Sequence, residues 1–325
     1  MISRVANNCF WMNRYIERAE ILARLEDVNM AFQLDVDLPN AERWRPLVIV
    51  SGQEAHYLKV TAPEAADDAD TAQNYLTWNQ DNPSSIFQSL SLARENARTI
   101  RETISLEMWE TINDLWLWLS ERTARRQYHD DRHAFYQHIK KQCLLFHGVA
   151  EATMLHDEPF RFMRLGTSLE RAGQTARLLD VKHHSLGPGS DVESPSEAAQ
   201  WLATLRYCSG VEPFFKRELQ VFSGQAVANF LLFDAAFPRS VRCNLVRSKN
   251  LLKLIRVADS NIGERSSTKL GEMLGRLDQA ASHPERASDL HALLTWLVDS
   301  NTLACQLIHE EFFDPKSRGN EVHVA

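Results

Sequence analysis

Apolar residues recur at helical spacing along most of this chain. Residues 3–30 contain no proline or glycine, and their apolar side chains repeat every three or four positions, which predicts one long helix. Residues 83–128 keep the same period and predict a very long helix, or two helices joined by a subtle break. Further helices are predicted at residues 131–154, 161–181, 197–208, 213–221, 225–233, 238–259, 268–281 and 285–312. Only residues 47–50 form a β-rich run, too isolated for a sheet, so we predict an all-α fold.

Two of the predicted helices carry the same charged motif. Residues 17–28 have the sequence ERAEILARLEDV, and residues 170–181 have ERAGQTARLLDV at an offset of 153. Shorter matches follow in the same order at offsets of 155 to 158: Trp44 with Trp201, Ser51-Gly52 with Ser209-Gly210, and Pro83 with Pro238. We therefore predict two tandem pseudo-symmetric helical bundles that arose by internal duplication, residues 1–150 and 151–325, packed together as one globule.

Composition narrows the class of protein. With 325 residues, 44% hydrophobic and 24% charged, the chain has ample material for a core. Its formal charge of -7 argues against a dedicated nucleic-acid binder, whose binding face is usually basic. Five cysteines without CxxC spacing indicate neither a disulfide framework nor a zinc site. With no signal-peptide pattern or membrane-length apolar stretch, we expect a cytoplasmic protein that binds no membrane.

The charged motif places its ionic side chains on two helix faces. Residues seven apart lie only about 20° out of register, so Glu17 and Arg24 share a face, and Asp27 lies close enough to pair with Arg24. Arg18 points about 100° away, toward a partly apolar side where an unpaired guanidinium would be costly. We therefore expect Arg18 to reach a carboxylate or an anionic ligand. The same expectations apply to the second copy of the motif: Glu170, Arg171, Arg177 and Asp180.

A basic stripe adds to these charges. Arg94, Arg98 and Arg101 fall at i, i+4 and i+7 of one predicted helix, and the second half keeps Lys249, Lys253 and Arg256. Two predicted helices start at Pro83-Ser84-Ser85 and Pro238-Arg239-Ser240, where hydroxyl and free N–H groups suit anions. The candidate anion-binding residues are Arg4, Arg14, Arg18, Arg24, Ser85, Arg94, Asn96, Arg98, Arg101, Arg171, Arg177, Arg239 and Ser240. Purely structural ion pairs and a solvated helix face remain the alternatives.

Familiar catalytic and metal motifs are missing from the sequence. It contains no Glu-x-x-His pair of the di-iron bundles, no glycine-rich nucleotide loop and no Gly-x-Ser-x-Gly motif. His129 and His133 stand at i, i+4, but the zincin glutamate is absent between them. We predict no metal site. Glu17 and Glu170 are the candidate catalytic residues, because a carboxylate can orient an arginine or accept a proton.

Several segments together are similar to the bacterial alpha-E family. They are Ser3-Arg4 with Trp11, Arg14-Tyr15 and Glu17-Arg18-Ala19, the residues 82–85, 93–98, 165–166 and 169–172, and Pro238-Arg239-Ser240-Val241. The resemblance spans nearly the whole chain and implies an all-helical fold. Members of this family tend to be encoded beside, or fused to, circularly permuted ATP-grasp proteins, often near transglutaminase-like proteins.

The resemblance implies a role in ATP-dependent amide or peptide bond formation. The leading hypothesis is an accessory or co-catalytic subunit of an ATP-grasp ligase system, whose Arg/Glu-lined cleft binds the carboxylate or acyl-phosphate of an acidic peptide or small carboxylate substrate. ATP and Mg would be used by the partner, with no cofactor bound by this chain. The alternative is a non-catalytic scaffold that docks the ligase through structural Glu-Arg pairs. An autonomous carboxylate-based hydrolase or transferase ranks last, because adjacent arginines would lower the pKa of its acid.

Overall fold

The computed structural model describes residues 3–35, 44–185, 195–217, 222–255, 260–282 and 290–314. Within them the chain forms fifteen α-helices and no strand, which confirms the all-α prediction. The first half contains α1 (Ser3–Asp35), α2 (Arg45–Val50), α3 (Glu54–Val60), α4 (Ala69–Thr77), α5 (Ile86–Thr99), α6 (Leu106–Ser120), α7 (Arg122–Asp130) and α8 (Arg132–Thr153). None of the described helices has the length and apolarity needed to cross a bilayer.

The second half contains the remaining helices in a similar order. They are α9 (Glu158–Ser185), α10 (Pro195–Tyr207), α11 (Val211–Arg217), α12 (Gly224–Phe233), α13 (Val241–Ile255), α14 (Glu264–Ala281) and α15 (Leu290–Ile308), which continues as a π-helical turn, His309–Phe313. Parts of three predicted helices, residues 218–221, 256–259 with Arg256, and 285–289, lie outside the described residues.

Two local predictions were wrong. Residues 83–128 form three helices instead of one or two, because the chain breaks after Thr99 and again at Glu121. Ser105 starts the middle helix: its backbone is extended (φ -69°, ψ 157°) and its hydroxyl accepts the Met108 N–H at 3.2 Å. The β-rich run 47–50 is helical, with Pro46 in the first turn of α2, where a missing N–H costs nothing.

The long helices α1 and α9 pack against each other at the centre of the molecule. Their crossing is close: a Cβ added to Gly166 on α9 would lie 2.3 Å from the carbonyl oxygen of Phe10 on α1. Around them, α1 packs on α5 and α8 as α9 packs on α13 and α15. The contacts of α6 with α5 and α8 likewise match those of α14 with α13 and α15. The order of packing is therefore alike in both halves, while their origin by duplication and the boundary at residue 150 remain predictions.

Candidate functional site

Glu170 lies at the α1–α9 interface and is 3% exposed. Its Oε1 accepts a hydrogen bond from Arg18 Nε at 2.8 Å, and its Oε2 accepts one from Arg14 Nε at 2.8 Å. Arg18 Nη2 and Gln174 Nε2 add bonds of 3.2 Å each. Burial alone would raise the pKa of Glu170, but Arg18 and Arg14 outweigh it and lower that pKa to about 2.

Glu17 forms the reciprocal cluster and is fully buried. Arg171 donates to it from Nε at 2.7 Å and Nη2 at 2.9 Å, and Arg239 donates from Nη1 at 3.2 Å. His147 Nε2 lies 3.1 Å from its Oε2. Burial raises the pKa of Glu17, yet Arg171 and Arg239 hold it well below its usual range. Each motif arginine, Arg18 and Arg171, therefore reaches the glutamate of the opposite helix, as expected.

Arg24 is neutralised within the protein. Its guanidinium hydrogen-bonds the carboxylate of Glu20 and the hydroxyl of Ser209. Arg239 Nη2 binds the second oxygen of Glu20 at 2.8 Å. Because Glu20 is fully buried, a carboxylate with two guanidinium partners meets the requirement that interior charges be paired.

The predicted pairing of Asp27 with Arg24 is wrong. Asp27 Oδ1 lies 2.5 Å from His133 Nδ1 on α8, and the carboxylate of Glu20 forms the ion pair with Arg24 instead. In the second half Asp180 Oδ1 likewise lies 2.9 Å from His291 Nδ1 on α15. The aspartates point toward the neighbouring helix of their own half, because that face of the motif helix packs there.

Arg177 differs from Arg24 although it occupies the corresponding position. Gly173 takes the position that Glu20 has in the first motif. Gly52 takes the position that Ser209 has in the turn facing Arg24. Arg177 Nη1 donates only a long bond, 3.4 Å, to the Val50 carbonyl, and no carboxylate of the described residues forms an ion pair with it. Burial lowers the pKa of Arg177, and the charge of Glu170 only partly offsets this effect.

The turns that meet these arginines are equivalent, and their geometry pairs Gly52 with Ser209, which shifts the sequence match of Ser51-Gly52 with Ser209-Gly210 by one residue. Gly52 (φ 75°) and Ser209 (φ 50°) are left-handed, and their N–H groups donate to Ile49 and Arg206 three residues earlier. A Cβ on Gly52 would lie 3.0 Å from Arg177 Nη1. Glycine therefore suits both the positive φ and the close approach of the guanidinium.

A cavity of about 580 Å³ opens beside Arg177. Its charged lining residues are Arg14, Arg18, Glu170 and Arg177, so the formal charge of the wall is positive. Gly173 also lines it, together with Asn301, whose Nδ2 lies 2.5 Å from the place that a Cβ on Gly173 would take. A pocket of this volume lies in the range that holds small ligands. The positively charged wall of this cavity can bind an anion.

The other predicted basic residues lie elsewhere. Arg94 donates to Asn113 Oδ1 at 3.0 Å and pairs with Glu95, which also binds Arg98. Arg101 is exposed and stacks over Trp109, with 4.7 Å from its guanidinium carbon to the ring centre. This basic stripe is a half-solvated face that does not line the cavity.

Four further predicted residues also lie outside the cavity lining. Arg4 is exposed, and Asn96 is half-buried on α5. Ser85 caps α5 by accepting the Gln88 N–H at 3.1 Å, and Ser240 accepts the Cys243 N–H at 3.1 Å. Both hydroxyls are fully buried and used by the fold, so neither is available to an anion.

The structure also adds residues that sequence patterns missed. Glu20, Ser209 and His147 complete the buried clusters, and the exchange of Glu20 for Gly173 is the difference between the two motif sequences that signals their asymmetry. Glu26 is fully buried, and neither of its oxygens has a hydrogen-bond partner, so burial raises its pKa to about 8. It does not line the cavity. Its counterpart in the second motif is a leucine.

The described residues contain no group of three or more His, Cys, Asp or Glu placed to hold a metal ion. All five cysteines are buried and unpaired. Burial raises the pKa of Cys305, the cysteine in the cavity wall, which keeps it a thiol.

Comparisons with known proteins agree with the helical architecture. A family model named Alpha-E, described as a predicted alpha-helical domain with a conserved ER motif, matches residues 1–313. An uncharacterised protein of Mycobacterium bovis is 29% identical over 305 residues, and one from a Mycobacterium tuberculosis strain is 28% identical over the same length. These matches cover 89% of this chain but 33% of each relative, so the chain spans about a third of their length. No solved structure matches it.

Proposed function

Since the chain belongs to the Alpha-E family, we propose that it is an accessory or co-catalytic subunit of an ATP-grasp-dependent amide or peptide ligase system. In this proposal the cavity beside Arg177 binds an anionic group of the substrate, a carboxylate or an acyl-phosphate. The partner ligase uses ATP and Mg, and this chain positions the group on which the ligase acts.

One observation carries the anion-binding part. Arg177 is a partly buried guanidinium that forms no ion pair with a described carboxylate, and it faces a cavity of about 580 Å³. A buried unpaired charge is costly, so a site that retains one gains free energy when a counter-ion arrives. Arg14 and Arg18 in the same wall share a single carboxylate, which adds to the positive charge.

The two glutamates have a positioning role in this proposal. Glu17 and Glu170 have lowered pKa values, so both are ionised near neutral pH and are weak proton acceptors. Glu170 holds Arg14 and Arg18 in fixed orientations at the cavity wall. A catalytic base is therefore supplied by the partner or the substrate, and Glu170 orients the arginines.

The ligase part rests on the family resemblance. Partnership with a circularly permuted ATP-grasp protein, and with a transglutaminase-like protein, is what that resemblance implies. The mycobacterial relatives are about three times as long as the matched region, which leaves room for a fused catalytic domain. An acidic peptide or a small carboxylate is the substrate class that the arginine-lined cavity favours.

The test is product formation with the partner. The chain is co-expressed with a circularly permuted ATP-grasp protein from the same organism, the kind of partner that the proposal names, and ATP turnover with acidic peptides and amines is measured. We expect Arg177→Ala to lower product formation while the fold, followed by circular dichroism, is unchanged. Arg98→Ala, on the exposed stripe, is the matched control and should leave the rate intact. Equal rates for wild type and Arg177→Ala would refute the proposal.

A scaffold without chemistry is the second candidate. The observation that favours it is the Glu17 cluster, in which Arg171 and Arg239 are saturated by internal carboxylates and no ligand is needed. If scaffolding were the whole function, activity of the complex would fall only in variants whose melting temperature also falls. Loss of activity in a fully stable Arg177→Ala would exclude it.

A further inference from the structure

The Arg24 cluster shows what a motif arginine binds when its site is filled. Arg24 contacts one carboxylate, that of Glu20, and one hydroxyl, that of Ser209. Glu20 projects from the same helix one turn earlier, so its side chain fills the space beside the guanidinium. The occupied site is closed, and the protein itself supplies a carboxylate to the Arg24 guanidinium.

At Arg177 the same two positions are empty of side chains. Gly173 precedes Arg177 by one helical turn, as Glu20 precedes Arg24, and Gly52 is the left-handed residue of the facing turn, as Ser209 is. Both glycines line the cavity. A Cβ on Gly173 would lie 2.5 Å from Asn301 Nδ2, so Asn301 takes the space next to Gly173, and the cavity opens beside the Arg177 guanidinium.

Resting on the proposed function, we infer that the cavity binds the carboxylate of a glutamate-like group opposite Arg177, in the place that the Glu20 carboxylate holds opposite Arg24. The ligand is a carboxylate-bearing amino acid or short peptide. Its carboxylate forms a charge-assisted pair with one guanidinium, and the rest of it extends into the remaining cavity.

The number of available donors favours a carboxylate over a phosphate. Arg14 and Arg18 already direct their Nε and Nη2 atoms at Glu170, so Arg177 is the one cavity arginine without a carboxylate partner among the described residues. One planar guanidinium matches one carboxylate in charge and in fork geometry. Arg239, the second guanidinium on Glu20, corresponds to Ser84 at the cavity, so the site opposite Arg177 lacks the second guanidinium that the Glu20 site has.

The size of the cavity agrees with a larger ligand. About 580 Å³ exceeds what a lone carboxylate needs and accommodates an amino acid with its neighbouring peptide groups. Trp11 in the wall, whose ring lies 4.6 Å from the Arg14 guanidinium carbon, provides an apolar surface for the aliphatic part of such a ligand.

The inference is tested by calorimetric binding of two matched probes at low salt. N-acetyl-glutamate α-amide carries one carboxylate, and N-acetyl-glutamine α-amide is its neutral isostere; inorganic phosphate is the third probe. We expect the glutamate probe to bind at least about tenfold more tightly than the other two, and Arg177→Ala to remove this preference. Arg98→Ala should keep it, since Arg98 lies on the exposed face.

A second variant introduces the missing carboxylate. A Cβ at position 173 would lie 2.5 Å from Asn301 Nδ2, so Gly173→Glu and Gly173→Gln are both made with Asn301→Ala. In this background the glutamate should pair with Arg177 as Glu20 pairs with Arg24, which raises the melting temperature above that of the Gln variant and abolishes probe binding. Equal melting temperatures in two folded variants would contradict the inference.

The outcomes separate this inference from the proposed function. Suppose that phosphate binds more tightly than the glutamate probe and that Arg177→Ala abolishes this binding. The carboxylate assignment would then be wrong, but the cavity would still be an anion site. Binding of no probe, or binding indifferent to Arg177→Ala, would overturn both. If the position-173 variants do not fold, the three probes with wild type and Arg177→Ala decide the matter alone.

Discussion

The two motif helices have the same charged sequence positions but use them differently. In the first, Arg24 is sealed by Glu20 and Ser209, and the surrounding space is filled. In the second, Arg177 faces a cavity of about 580 Å³ because glycines stand at both corresponding positions. The exchanges of Glu20 for Gly173 and of Ser209 for Gly52 thus accompany the change from a closed ionic cluster to an open one, between halves whose helices pack in a similar order.

The largest effect on stability is expected in the buried cluster around Glu17. Glu17→Ala removes a fully buried carboxylate from Arg171 and Arg239 and leaves both guanidinium groups short of a partner. We expect a loss of about 3–5 kcal/mol in the free energy of unfolding, measured by denaturant titration. Glu95→Ala, in a surface pair with Arg98, is the control and should cost under about 1 kcal/mol. Similar losses of stability in the two variants would contradict a structural role for the Glu17 cluster.

The sequence predicted much of this framework but not its local breaks. Helical periodicity gave α1 and α9 and an all-α fold, since apolar spacing directly reflects which face is buried. It missed the breaks at Ser105 and Glu121, because a serine cap inside a periodic segment has no distinctive spacing. Tertiary packing also made residues 47–50 helical despite their β-branched composition.

The site was predictable only in part. Arg18 and Arg171 were expected to reach carboxylates, because an arginine on an apolar face has to be paired. The partner of Asp27 was not predictable, since His133 comes from a helix whose position no local pattern gives. The Gly173 difference is visible in the sequence, but only the structure shows that it leaves a cavity beside Arg177.

Glu26 of the first motif and Glu170 of the second contribute to stability with opposite dependence on pH. Its native pKa is raised to about 8 by burial, against an ordinary value of 4.5, so the folded chain holds a proton that the unfolded chain loses. Stability should therefore fall as pH rises from about 4.5 to 8, and level off above. Glu170, with its pKa lowered to about 2, contributes stability that is lost as pH falls from 4.5 through 2.

The variant Glu26→Leu copies the residue of the second motif, Leu179, and tests this difference. We expect a gain of about 1–3 kcal/mol in unfolding free energy at pH 9, because an unsatisfied buried carboxylate is removed. Glu26→Gln, which cannot ionise, should flatten the decline between pH 5 and 8. Chemical denaturation across pH measures both. A wild-type profile that rises over this interval would contradict the buried, protonated Glu26.

The crossing of α1 and α9, which brings the two motifs together, is tested by Gly166→Ala. The added Cβ would lie 2.3 Å from the Phe10 carbonyl oxygen, so the helices have to separate. We expect a loss of about 1–3 kcal/mol, measured by thermal unfolding. Gly148→Ala on α8 is the matched control: its Cβ meets nothing within 4 Å, and alanine should stabilise this helix by up to about 1 kcal/mol. Stabilisation by both substitutions would contradict the close contact between α1 and α9 at Gly166.

The smallest effect on stability is expected at the open site itself. Arg177→Ala removes a partly buried guanidinium with one long hydrogen bond and no ion pair among the described residues, so the unfolding free energy should fall by no more than about 0.5 kcal/mol, or rise. Arg24→Ala, at the corresponding position, breaks contacts to Glu20 and Ser209 and should cost about 2 kcal/mol or more. Denaturant titrations of the two variants give the comparison directly. An equal loss would mean that Arg177 has a structural partner after all, whereas a negligible loss at Arg177 alone means that its charge is maintained for something outside the fold.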